Sequence, residues 1–147
     1  MKQLRITYLL LTIIGLSISL QSNAQESIEG VWFAGDGNTK IQIAKDESGE
    51  YHGTIVWLKN PLNKKGQPHT DRMKPYESLR DQPILGLTML DNLTYENGNW
   101  SGELYSPKRG KTVDAVLSIE NSMELKLQVS YRGFSRERIW VRTDLSE

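Results

Sequence analysis

The amino-acid sequence predicts an all-β protein, an eight-stranded antiparallel up-and-down barrel with one long irregular loop. Three observations lead there. Apolar and polar residues alternate in short stretches after residue 25, the period-2 pattern of half-buried strands. Clusters of Gly, Asn, Asp and Pro separate the stretches, and these residues favour turns through backbone conformation or local hydrogen bonding. A meander of this length must also hide its edge strands, which closure into a barrel does completely.

The strands follow in order. Gly30-Val31-Trp32-Phe33 is the first. Residues 39–44 are the second, with Ile41 and Ile43 on one face. Asp46-Glu47-Ser48-Gly49 turns the chain into the third, residues 51–58. There Tyr51, Gly53, Ile55 and Trp57 alternate with His52, Thr54, Val56 and Leu58. Residues 59–82 hold Pro61, Pro68 and Pro75 and read as a long loop with a short helix near 76–80. A loop of that length in a compact domain needs a reason. The fourth strand spans 85–93, and Asn97-Gly98 is a strong hairpin signal before the fifth, 100–105. The sixth spans 112–119, with Val113, Ala115, Leu117 and Ile119 on one face. The seventh, 124–130, aligns Leu125, Leu127 and Val129. A connection over 131–136 leads to the eighth strand, 137–142.

Residues 1–24 read as a cleaved signal peptide and 25–147 as a single barrel domain. Lys2 and Arg5 precede a mostly apolar run over 6–20, and Ser22-Asn23-Ala24 supplies a small-residue cleavage site. The run is shorter than the ~20 residues needed to span a bilayer. The expected address is therefore periplasmic or secreted, with no membrane span after cleavage.

The chain has no cysteine, which excludes disulfide frameworks, thiolate metal sites and thiol nucleophiles. Its 18 basic and 18 acidic residues balance, leaving no basic excess for a nucleic-acid backbone. Only two histidines occur, His52 and His69. Neither forms a His-x-His or i,i+4 pair, so no metal is expected. Asp81, Asp91, Glu103 and Asp114 lie in or near strands and are candidates for carboxylate chemistry, although Asp114 faces away from Val113 and Ala115. Gly-rich phosphate loops are absent, and no cofactor is expected.

Gly30-Val31-Trp32 at the start and Trp140-Val141-Arg142 at the end resemble the closure of lipocalin-like barrels. There a tryptophan plugs one end and a basic residue of the last strand covers its ring. In that resemblance Gly30, Trp32, Trp140 and Arg142 are the closing residues, held by a cation–π contact. The segment 28–142 also resembles an exported bacterial family catalogued as domain of unknown function 2147. The resemblance rests on Gly30-Val31-Trp32, residues 53–58, Asp71, residues 80–87 and Trp100-Ser101-Gly102. It continues through Tyr105-Ser106-Pro107, Arg132-Gly133-Phe134 and Trp140-Val141-Arg142. Lys74, Ser106 and Val113 depart from the family pattern. The resemblance implies a lipocalin-like barrel and a periplasmic address, and no activity.

The expected function is binding of a small apolar or amphipathic molecule. The expected ligand-binding residues are Trp57, Trp100 and Tyr105, with Arg80, Arg109 and Arg132 at the rim. As large aromatic groups in strands, all four tryptophans are first expected to fill the core. Arginines beside loops suit a carboxylate or phosphate head group. Asp71 and Arg80 are the expected ion pair that ties the loop to the barrel mouth. Two alternatives stay open: a filled barrel that acts as a protein-interaction module of the cell envelope, and a hydrolase or isomerase.

Overall fold

A computed structural model of the protein describes residues 26–146. The signal-peptide expectation for 1–24 lies outside the described residues. Eight strands close into one antiparallel barrel in chain order. They are β1 (Gly30–Phe33), β2 (Thr39–Lys45), β3 (Tyr51–Leu58), β4 (Thr88–Glu96), β5 (Asn99–Ser106), β6 (Lys111–Asn121), β7 (Glu124–Tyr131) and β8 (Phe134–Thr143). The pairing of β1 with β8, Val31 opposite Thr143 and Phe33 opposite Val141, completes the closure. The fold is the eight-stranded all-β barrel expected from the alternation and the turns.

Two strand starts moved by three residues. The fourth strand starts at Thr88, not at 85, because Ile84–Leu87 forms a turn that bonds β3: Ile55 donates to the Leu87 carbonyl and Gly86 to that of Ile55. The eighth starts at Phe134, not at 137. Arg132 and Gly133 both adopt positive φ, 50° and 82°, which joins β7 to β8 in a two-residue hairpin whose twist matches the strands. The expected helix near 76–80 is a single 3-10 turn, Glu77–Leu79.

The interior is filled at one end and open at the other. Trp32, Ile41 and Ile55 pair laterally across β1, β2 and β3, and all three are buried. Trp100 with Leu117 and Leu125 with Trp140 continue the packed layer. At the filled end Arg142 lies over the Trp32 ring, 4.2 Å from its centre. Its guanidinium donates to the carbonyls of Ser122, Glu29 and Ser27 at 2.9–3.0 Å. Gly30, at φ 133°, leaves room for it, because a Cβ there would stand 2.8 Å from Arg142 Nη1. At the open end the inward faces carry Leu104, Val113 and Val129 and then the polar Lys111, Arg136 and Arg138, and the buried core stops short of the mouth.

On the outer wall His52 joins three elements. Its Nδ1 lies 2.6 Å from Asp91 of β4 and its Nε2 2.8 Å from Asp46 of the β2–β3 turn. The Asp46 and Asp91 carboxylates accept from the imidazolium and raise its pKa above the ordinary 6.5. The contribution to stability is therefore present at pH below 6.5 and lost as pH rises through the raised folded value. Asp46 is held well below the ordinary carboxylate range by Ser48 and then His52, so its share is lost only in strong acid. His52→Gln is expected to lower the urea midpoint near pH 6 and leave it nearly unchanged at pH 9. An equal loss at both values would remove the imidazolium from the account.

Candidate functional site

A cavity of about 810 Å3 opens at the unfilled end. Its walls are Leu104 of β5, Val113 of β6, Val129 of β7 and Trp140 of β8. Its rim is Ala34, Gly35 and Asp36 of the β1–β2 turn, Lys108 and Arg109 of the β5–β6 turn, and Tyr131 and Phe134 beside the β7–β8 hairpin. The volume lies in the range of ligand pockets, and an eight-stranded barrel is wide enough for one small ligand.

Two arginines reach the cavity from β8. Arg138 pairs with Leu127 and Arg136 with Val129, and Leu127 belongs to the core. Phe134, Arg136, Arg138 and Trp140 therefore occupy one inward row, while Ile139 and Val141 face out and are exposed. Arg138 donates to the carbonyl of its neighbour Glu137. Lys111 of β6 completes the basic group, its Nζ 3.4 Å from the Tyr131 hydroxyl. The cavity residues thus include Lys108, Arg109, Lys111, Arg136 and Arg138 against a single acid, Asp36. Apolar walls beneath a cationic mouth suit a molecule with an apolar body and an anionic head.

The structure redistributes the residues singled out from sequence. Arg109 lines the cavity. Arg132 does not: it sits at the hairpin apex and stacks on Tyr131 at 5.3 Å. Trp100 is a core residue against Tyr51 and Tyr95. Trp57 faces outward. The register between β2 and β3 shifts between Lys40 and Ile41, so Trp57 pairs with Lys40 while Ile55 pairs with Ile41. One extra residue in β3 reverses the face, and Trp57 packs on Phe33 at 5.9 Å beneath Lys40. Trp140, expected at the closed end, forms part of the cavity lining.

Tyr105 also leaves the interior, since it alternates with the inward Leu104. Its outer side is covered by the long loop. Asp71 is fully buried there, its carboxylate facing Tyr105 and standing 3.9 Å from Lys74 Nζ. That ammonium lies 4.3 Å from the centre of the Tyr105 ring. Burial first, and the Asp71 carboxylate second, push the tyrosine pKa up to about 12. The carboxylate is near enough for that effect, yet among the described residues neither of its oxygens nor Tyr105 Oη has a hydrogen-bond partner. The expected Asp71–Arg80 pair does not form. Arg80 belongs to the 3-10 turn, donating its Nε to the Lys74 carbonyl and its Nη1 to Glu77. Arg80 therefore braces the loop internally, and Lys74 is the partner of Asp71.

Gly110 seats the same loop. A Cβ there would collide with the Met73 carbonyl oxygen, and its φ is 61°, a conformation that costs a non-glycine residue about 1–2 kcal/mol. Gly110→Ala is expected to lift the loop and speed tryptic cleavage at Lys64 and Lys65 while the barrel stays resistant. Unchanged cleavage would show that the loop does not depend on this contact. Between loop and turn lies a second depression of about 760 Å3, bordered by His69, Met73, Ile84 and Pro107.

Asp46, Glu50 and His52 bring three ligand-type atoms within 4.8 Å of one another. Both His52 nitrogens are already bonded to carboxylates, so the group serves the hairpin and supports no metal assignment. The inward arginines of β8 were missed in the sequence. The available signal was Trp140: once it is inward, period 2 places Arg138 and Arg136 inward too.

Known proteins are similar in fold. The bacterial family described as "uncharacterized protein conserved in bacteria", DUF2147, matches residues 30–142. Protein HP1028 of Helicobacter pylori, described as belonging to the lipocalin family, superposes with a TM-score of 0.64 at 16% identity. The match covers 82% of this chain and 85% of that one. At that identity the likeness concerns the fold. No curated protein matches the chain.

Proposed function

The chain belongs to the DUF2147 family and has a lipocalin-like barrel, and from that premise we propose that it binds an amphipathic molecule with an anionic head group. The observation that carries the reading is the pairing of an apolar cavity with inward arginines at its mouth. The apolar body lies among Leu104, Val113, Val129 and Trp140. The head group meets Arg109, Arg136 and Arg138, whose planar donor sets match a carboxylate or phosphate.

The molecule is exported in this reading, supported by the charged, apolar and small-residue order of residues 1–24. N-terminal sequencing of the protein from the cell envelope should begin at Gln25; a start at Met1 would contradict export by cleavage. Among the described residues no helix is long and apolar enough to cross a membrane.

Native mass spectrometry of the purified protein, with solvent extraction of the same sample, tests the binding. The expected result is an adduct that extracts as an anionic amphiphile, or that forms far more readily with an added long-chain carboxylate than with the matching alcohol. An apo mass unchanged by either compound would overturn the proposal.

A further inference from the structure

The balanced charge of the whole chain conceals an axial separation. The connections at the open end are residues 34–38, 59–87, 107–110 and 132–133. They carry nine Lys and Arg against four Asp and Glu, a net charge of +5. At the filled end, 26–29, 46–50, 97–98 and 122–123 carry no Lys or Arg and five Asp and Glu, a net charge of −5. Contacts place the segments on these ends. The β1–β2, β5–β6 and β7–β8 turns border one cavity, and the long loop reaches Gly110 and Lys108. Residues 27–29 bond Arg142 beside the Ser122 carbonyl. Of the nine open-end cations only Lys74 and Arg80 form ion pairs among the described residues. The field of this arrangement points the open end at a negative surface.

The two most exposed large apolar side chains lie at the same end. Phe134 is 80% exposed and Tyr76 72% exposed, the two largest values among the exposed large hydrophobic residues described. Leu62 and Met73, on the long loop, are each more than half exposed. Cations interleaved with exposed aromatic and aliphatic side chains fit the head-group region of an anionic bilayer. There the charges are attracted to the lipid phosphates and the apolar groups enter the acyl boundary. A purely electrostatic partner such as a nucleic acid would leave those rings in water.

We propose that the open end of the barrel is a docking surface for an anionic membrane, oriented by the charge separation along the barrel axis. The proposal does not depend on what the cavity holds. Docking would set the cavity mouth against the lipid.

Cosedimentation with vesicles tests it, using phosphatidylglycerol mixed with phosphatidylcholine, and phosphatidylcholine alone. Binding is expected to the mixed vesicles only, and to weaken as salt rises. Lys64→Glu with Lys65→Glu, both exposed and outside the cavity lining, should weaken it roughly tenfold or more. The reverse exchange at the other end, Glu26→Lys with Glu47→Lys, should change it less than about twofold, because those positions face away from the lipid. Circular dichroism checks that the variants are folded. Equal binding to both vesicles, no binding to either, or an effect of the Glu26/Glu47 exchange as large as that of the Lys64/Lys65 exchange would overturn the proposal. Uptake of a long-chain carboxylate from dilute solution, measured on the Lys64/Lys65 variant, separates the two readings. It should be unchanged if docking alone is lost.

Discussion

Replacing Trp32 by alanine is expected to destabilise the barrel by about 3–5 kcal/mol, the range for deleting a large aromatic group from a packed core. The ring is fully buried. Its Nε1 donates to the Ile28 carbonyl at 2.8 Å, which fixes the entry of the chain into β1. Its face is covered by the Arg142 guanidinium, itself bonded to three carbonyls. Removing the indole opens the filled end, frees residues 26–29 and leaves Arg142 without its ring. Urea unfolding at constant slope measures the loss. Arg142→Lys keeps the charge but loses the planar fork, so a smaller loss in the same direction is expected. A change below about 1 kcal/mol for Trp32→Ala would show that the closed end does not depend on the indole.

Arg136→Glu combined with Arg138→Glu is expected to weaken binding of a long-chain carboxylate by roughly a hundredfold, since hydrogen bonds to charged groups contribute ~1.5–3 kcal/mol. Both side chains are exposed at the mouth, so the thermal midpoint should hardly move. Affinity for the matching alcohol should change little, which separates head-group recognition from damage to the apolar walls. Arg132→Glu is the control, because Arg132 stacks on Tyr131 at the hairpin apex and lies outside the cavity lining. If Arg132→Glu weakens binding as strongly as the double variant, the mouth acts by general attraction and the inward pair has no special role. Isothermal titration with both compounds reads every arm.

Much of the barrel was legible because strand signals are local. Asn97-Gly98 marks a tight turn, and the Val113, Ala115, Leu117 and Ile119 series marks an inward face, with no knowledge of what packs against it. The closed end was legible through resemblance in Gly30, Trp32 and Arg142, whereas Trp140 of the same pattern lines the cavity. The candidate site was read less well. Trp57 falls in step with Ile55 by simple alternation, but the register shift against β2 turns it outward. Arg80 and Asp71 carry opposite charges in one loop, yet the buried Asp71 lies beside Lys74 and Tyr105. The eighth strand offers both Ile139 with Val141 and Arg138 with Trp140 as the inward row. Hydrophobicity favours the first row, and pairing of Trp140 with Leu125 selects the second.

By itself, the sequence determined the strand count, most of the turns, the long loop and the apolar stock of the core, because these depend on neighbours within a few residues. Only the tertiary structure decided which face of β8 turns inward, where the packed core ends and the cavity begins, and how a neutral chain separates its charges between the two ends. Those features depend on register between strands distant in sequence, and a one-residue shift exchanges every side chain between core and solvent.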